Sequence, residues 1–293
     1  MNTLEQRHVD SLYKQHLINL KLQGKRKATI DSYARAVRRI TTYFDRSPDT
    51  LTAHDLKTYF NDLITTHSWS TVKADRNGLQ FFYKHTLARQ WEWLNIVKPP
   101  QVKRLPDILT PQQIAHLIHQ TKQRRYQVAF LTMYTMGLRL GEALQLSIHD
   151  IDSHTMQVHI RDGKGGKDRF VPLPEQTLHY LRWHWSTHRH PRWLFPAPNC
   201  QNPMDRGGVQ KAMRAVLVQC NINKHISPHS LRHCFATHLL EQGLDLRSLQ
   251  MVLGHGSLNT TARYTQLTQV KQKDMQGLVN QLSDNLIRLW GLL

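Results

Sequence analysis

The stretch VKPPQVKRLPDIL, residues 97–109, constrains this chain more than any other. Pro99, Pro100 and Pro106 have no amide hydrogen and a fixed φ, so none can sit inside a helix or a central strand. Each also pushes the residue before it into extended backbone. Lys98, Lys103 and Arg104 make the same stretch basic. A proline-rich, charged segment without apolar periodicity is a linker. It divides the 293 residues into two pieces, each long enough to close its own core. We therefore expect a first domain over 1–97, a linker over 98–107 and a second domain over 108–293.

The first piece reads as four helices, the first from about Leu4 to Leu22. In TIDSYARAVRRITTYF, Ile30, Tyr33, Ala34, Val37, Ile40, Tyr43 and Phe44 recur at helical spacing, while Arg35, Arg38 and Arg39 fall off that stripe. LTAHDLKTYFNDLI opens with a capping-box pattern, Thr52 to Asp55, and turns Leu56, Tyr59, Phe60 and Leu63 to one side. STVKADRNGLQFFYKHTL does the same with Val72, Leu79, Phe82 and Tyr83.

Beyond the linker, Thr110 and Pro111 start a new helix as N-cap and first helical residue. RRYQVAFLTMYTMG is a buried helix stopped by Gly137. TMQVHI alternates, RDGKGGKD is a glycine-rich turn, and RFVPL returns, which is the pattern of a β-hairpin. Further helices follow in EQTLHYLRWHW, GVQKAMRAVLVQC, SPHSLRHCFATHLL and DLRSLQMVLG. Near the end, Leu278, Leu282, Leu286 and Leu289, with Trp290 beside them, form an apolar stripe that needs a partner, in cis or in trans. The expected class is mainly α with a small antiparallel β-sheet.

Charge narrows the partners. Lys plus Arg number 39 against 21 acidic residues, a formal +18, which suits nucleic acid or an anionic membrane surface. No apolar run approaches the ~18 residues of a membrane span, and MNTLEQRHVD lacks the basic-then-apolar layout of a signal peptide. Nucleic acid and a cytoplasmic location are the reading that remains. Three cysteines without CxxC spacing fit reduced thiols.

SPHSLRHCFATHLL places His229, Arg232 and His233 along one stripe of a helix whose other side is apolar. Guanidinium grips phosphate through two parallel hydrogen bonds, and imidazole moves protons near neutral pH. His229 and His233 also stand at i,i+4, but a zinc protease motif needs Glu after the first His and this chain has Ser230. No metal is expected. Four other islands carry chemistry: GLRLGEAL with Arg139, DGKGGKDR with Lys164, LGHGS with His255, and TTARYTQL with Tyr264.

Together and in this order, GLRLGE, GKGGKDRFVPLP, PHSLRHCFATHLL and LGHGSLNTTARYT resemble the tyrosine recombinase (phage integrase) family, and within it the small Xer-like members. The resemblance covers roughly residues 108–270. The family's signature of Arg, hairpin Lys, His-x-x-Arg, His and Tyr falls on Arg139, Lys164, His229, Arg232, His255 and Tyr264. Gly141 stands where Ser is common before Glu142.

The resemblance implies a two-domain clamp on duplex DNA, with residues 1–97 as a SAM-like core-binding domain and Arg35, Arg38, Arg39, Lys98, Lys103 and Arg104 on the backbone. It implies attack of Tyr264 on a phosphodiester, giving a 3′-phosphotyrosine and a free 5′-hydroxyl without metal, ATP or other cofactor. Arg139 and Arg232 would clamp the nonbridging oxygens with His255, His229 would take the tyrosine proton, and Lys164 would protonate the leaving oxygen. Glu142 and His233 would support them. It further implies four copies, or a pair of recombinases, on paired inverted DNA arms. Site-specific recombination for a mobile element is the leading reading. Dimer resolution of Xer type, a type IB topoisomerase and a DNA-binding regulator without catalysis are the alternatives.

Overall fold

The computed structural model describes residues 1–90, 106–161, 168–254, 257 and 261–266. The chain separates into two compact units, Met1–Lys103 and Arg104–Leu293. Lys98, Lys103, Arg104, Lys164, His255 and the leucine stripe of 278–290 lie outside the described residues.

The first unit contains α1 (Thr3–Leu22), α2 (Lys27–Phe44), α3 (Ala53–Thr66) and α4 (Trp69–His85). The capping box at α3 is present, with Thr52 Oγ1 accepting from the Asp55 amide and the Asp55 carboxylate from the Thr52 amide. Leu56, Tyr59, Phe60, Leu63, Val72, Leu79, Phe82 and Tyr83 are all buried in one core. Tyr43 is not: it stands 44% exposed, with Tyr59 and Phe44 packed edge-on to its ring. It closes the rim of the core and leaves its hydroxyl on Asp62. α2 and α4 cross so closely that a Cβ on Gly78 would come within 2.9 Å of Ala36 Cβ and 3.0 Å of Tyr33 Cα.

Among the described residues of this unit, one acid is buried. Asp75 projects from the apolar stripe of α4 and takes hydrogen bonds from Tyr59 Oη (2.8 Å) and Arg39 Nη1 (2.6 Å). Burial and the adjacent Asp75 carboxylate drive the Tyr59 pKa upward, so the phenol keeps its proton.

The second unit runs α5 (Pro111–Gln120), α6 (Arg124–Thr135), α7 (Leu140–Leu144), β1 (Ile151–Asp152), β2 (Gln157–Ile160), β3 (Arg169–Pro172), α8 (Glu175–Ser186), α9 (Arg206–Gln219), α10 (Pro228–Glu241) and α11 (Leu246–Leu253). β2 and β3 pair antiparallel, Val158 with Val171 and Ile160 with Arg169. A short β1 extends the sheet on the far side of β2, a strand too brief to show alternation. Thr110 and Pro111 cap α5 as the sequence predicts. The main core gathers α5, α6, α8, α9 and the sheet. A smaller apolar cluster under α10 and α11 contains Ala236, Leu240, Leu249, Leu253 and Tyr264.

α10 differs from its expected form. The sequence suggests a polar stripe opposite an apolar one, yet Ser230, Leu231, Arg232, His233, Cys234, Ala236, Thr237 and His238 are all buried. Other elements surround it, so its polar groups face protein and its exposed member is His229. Cys200 is exposed, Cys220 half-buried and Cys234 buried, all three as free thiols.

Candidate active site

Two glycines build the frame. Gly137 follows α6 with φ +60° and Gly254 follows α11 with φ +62°, the left-handed conformation that ends helices at little cost without a Cβ. A Cβ at Gly137 would also strike the Phe235 ring at 2.4 Å. Both turns leave carbonyls at the negative end of a helix, where a cation is stabilised.

Arg232 occupies that spot. Its side chain is fully buried, with Nη1 donating to Gly137 O (2.8 Å) and Nη2 to Leu253 O (2.5 Å). Burial lowers its pKa to about 9, with neighbouring Arg139 and Arg169 adding to the drop and Glu142 and Tyr264 opposing it. It stays a cation at neutral pH. An isolated buried charge would be far too costly; two helix-end carbonyls and a nearby carboxylate make it tolerable here.

Glu142 is that carboxylate. It accepts from the Arg139 amide (3.0 Å) and Arg139 Nη1 (2.6 Å) at the start of α7. Arg169 meets both of its oxygens, Nη1 at 2.9 Å and Nη2 at 2.7 Å. Arg232 Nη1 stands 3.8 Å away. Burial pushes the Glu142 pKa up, but the two arginines more than cancel it and hold the group at about 2. Three guanidiniums thus surround one carboxylate, and among the described residues this leaves two positive charges in excess.

Tyr264 lies in a short 3-10 turn, Arg263–Gln266, against α10. Its side chain is 1% exposed and its hydroxyl is 2.9 Å from His233 Nδ1. The phenol can donate to this nitrogen when the ring carries its proton on Nε2. His229, one turn earlier, sets its ring at 82° to that of His233 with centroids 4.6 Å apart. The hydrogen bond to the tyrosine falls to the histidine that sequence reasoning placed only in support.

The structure therefore brings Arg139, Glu142, His229, Arg232, His233 and Tyr264 together from α7, α10 and the 261–266 turn. Arg35 and Arg38 lie exposed on α2 in the other unit, while Arg39 is engaged with Asp75. Arg169 was missed. Its signal was strand parity, since it shares the inward face of β3 with buried Val171. Asp75 was missed likewise, on the apolar stripe of α4 between Val72 and Leu79. Among the described residues no group of three or more His, Cys, Asp or Glu is placed to hold a metal, and no helix is long and apolar enough to cross a membrane.

This mainly helical unit thus sets a buried arginine–carboxylate cluster with excess positive charge beside a tyrosine–histidine pair. The sequence matches the phage integrase family over residues 107–271 and the phage integrase N-terminal SAM-like domain over residues 12–93. It is 32% identical over 265 residues to the tyrosine recombinase XerC of Alcanivorax borkumensis, covering 82% of this chain and 83% of that one. It is 31% identical over 270 residues to an integrase/recombinase of Escherichia coli, covering 77% and 80%. Its fold superposes on XerH site-specific recombinase, solved in a post-cleavage complex with palindromic difH substrate, at a TM-score of 0.67 with 23% identity, covering 86% of this chain and 80% of that one. The chain belongs to the phage integrase family, and is a tyrosine site-specific recombinase.

Proposed function

We propose that Tyr264 is the nucleophile that cuts DNA, and that Arg139 and Arg232 hold the scissile phosphate. The observation that carries this reading is the juxtaposition of a buried phenol, bonded to His233, with three arginines that outnumber their single carboxylate. A phosphodiester carries one negative charge and gains another as the tyrosine oxygen adds, so a site with two spare positive charges favours the transition state over the free substrate. Attack joins the Tyr264 oxygen to phosphorus, breaks the bond to the 5′ oxygen, and leaves a 3′-phosphotyrosine. A hydroxyl of a second strand then reverses the step on a new partner.

The tyrosine proton goes to a histidine of α10. Sequence reasoning names His229; the 2.9 Å contact favours His233. Lys164 serves as acid for the leaving oxygen and His255 as a third phosphate donor, roles that rest on the family resemblance. Glu142 orients Arg139. Because Tyr264 is 1% exposed, its turn moves before a phosphate reaches the oxygen. Residues 1–97 form a DNA-binding domain joined by the 98–107 linker to the catalytic domain at 108–293. Four copies act on paired inverted arms of duplex DNA, in keeping with the palindromic substrate of XerH.

The test is a nicked suicide duplex bearing the recombination site. The wild-type protein becomes covalently attached to the 3′ end, and Tyr264→Phe forms no adduct while binding the duplex as before. An adduct surviving that substitution ends the assignment. Cleavage by His229→Gln and His233→Gln then decides between the two proton acceptors.

A further inference from the structure

Arg139 and Arg232 come from different elements, and their supports meet at one further side chain. Arg139 is held by Glu142, and both oxygens of Glu142 are held by Arg169. Arg232 is held by Leu253 O at the end of α11, and the preceding carbonyl, Val252 O, accepts from Arg169 Nε at 3.0 Å. The next residue, Gly254, lies so close that a Cβ there would fall 2.7 Å from Arg169 Cδ. Arg169 itself has a side chain only 10% exposed and is anchored in β3 by its pairing with Ile160.

We infer that Arg169 is the positioning residue that sets Arg139 and Arg232 at the spacing of a single phosphate. It fixes the Glu142 carboxylate from one side and the C-terminus of α11 from the other. Three of its five N–H donors, one from each nitrogen, are spent on these supports, and it acts on the clamp through them. A planar fork is required for this. Lysine brings a charge but cannot meet two carboxylate oxygens and a carbonyl at once. A clamp displaced by about 1 Å loses on the order of 10²-fold in rate, and that loss belongs to the chemical step, since the groups that bind DNA elsewhere are unchanged.

The inference rests on the proposed clamp, so the experiment includes Arg139→Ala. Single-turnover cleavage of the suicide duplex is measured for the full-length protein at saturating enzyme, together with duplex affinity. Arg139→Ala tests the clamp, and its full activity would remove that reading whatever Arg169 does. With the clamp upheld, Arg169→Gln is expected to cleave about 10²-fold more slowly at unchanged affinity, and Arg169→Lys to recover part of that rate. Combining Arg169→Gln with Glu142→Gln should add little to the loss from Glu142→Gln alone, because the two act as one unit. A merely structural arginine gives a different pattern: fewer active molecules, each at the wild-type rate. That pattern overturns the inference, as does a wild-type rate in Arg169→Gln, a loss confined to affinity, or fully additive effects with Glu142→Gln. If Arg169→Gln does not fold, Arg169→Lys carries the test, and a full rate in that variant is equally fatal.

Discussion

Asp75 in the first unit and Glu142 in the second are both carboxylates set against arginine, and the two arrangements are not alike. In the first, Asp75 meets one guanidinium and one phenol, so its charge is balanced. In the second, Glu142 meets Arg139 and Arg169 directly, with Arg232 at 3.8 Å. A balanced pair specifies how helices pack and asks for nothing more. The unbalanced cluster leans on helix-end carbonyls for support, and under the proposed function it offers its surplus to an anion. On that proposal, charge balance alone distinguishes a structural device from a functional one. It also explains why the second cluster draws on α7, β3, α10 and α11, whereas the first joins two helices to a third.

Removing each carboxylate should break the two regions unequally. Glu142→Gln leaves three guanidiniums facing one another with little water, and we expect a loss of about 3–5 kcal/mol of stability, as for a buried pair stripped of one partner. Asp75→Asn should cost about 1–3 kcal/mol, since Asn can still accept a hydrogen bond and Arg39, a third exposed, turns to solvent. Urea unfolding measures both. Inorganic phosphate sharpens the contrast: it should raise the midpoint of Glu142→Gln more than that of the wild type, because an anion bound only by the native state stabilises it. Asp75→Asn should gain no more than the wild type. Equal responses would mean that the excess charge has no bearing on anions.

Acid offers a second comparison, this time of likeness. His16 in the first unit and His184 in the second are buried, and burial lowers the pKa of each from 6.5 to about 4. The unfolded chain protonates these rings below pH 6.5 while the folded chain does not. Their contribution is therefore complete above pH 6.5 and is lost as pH falls toward 4, by roughly 3 kcal/mol each if the shift is converted at 1.36 kcal/mol per pH unit. Glu142 behaves the same way in a lower window: its stabilisation is present above about pH 4.5 and fades as pH falls toward 2. Amide exchange in α1 and α8 between pH 7 and 4.5 reads the two histidines separately. His16→Phe should abolish the acid sensitivity of α1 and spare that of α8; a loss of both would show that the units do not open independently.

What could be read from the sequence follows the same division. Helices with strong apolar periodicity and caps, such as α3 with Thr52 and Asp55, were legible because local chemistry determines them. The list of site residues came instead from the family resemblance, not from local chemistry. Burial around α10 was not legible, because a polar stripe reads the same in sequence whether it faces solvent or, as here, buried protein partners. The partner of Tyr264 could not be read either: His229 and His233 are equally spaced for chemistry on paper, and the choice depends on where the 261–266 turn packs. Arg169 and Asp75 were visible only as charges on apolar faces. Such misplacements identify a buried network but not its members, since the partners of Arg169 come from α7 and α11, 27 and 83 residues away.

The smallest effect concerns the arginines of α2, where the balanced cluster touches the proposed DNA surface. Arg35 and Arg38 are exposed, with the Arg38 guanidinium 5.7 Å from the centre of the Tyr13 ring. Arg39 is bound to Asp75 at 2.6 Å. A guanidinium that neutralises a phosphate releases a counterion, and losing it should flatten the plot of log affinity against log salt by ~0.9. Arg35→Ala and Arg38→Ala are each expected to show that change in single-site binding. Arg39→Ala should change the slope by less, because its charge already serves Asp75, and should instead lower the unfolding midpoint by stranding that carboxylate. The two assays thus sort the three arginines into two with a salt signature and one with a stability signature. A full slope change for Arg39→Ala with no loss of stability would reverse the assignment. It would mean that the guanidinium leaves Asp75 for the phosphate when DNA is bound, and that the balanced network is itself part of the binding surface.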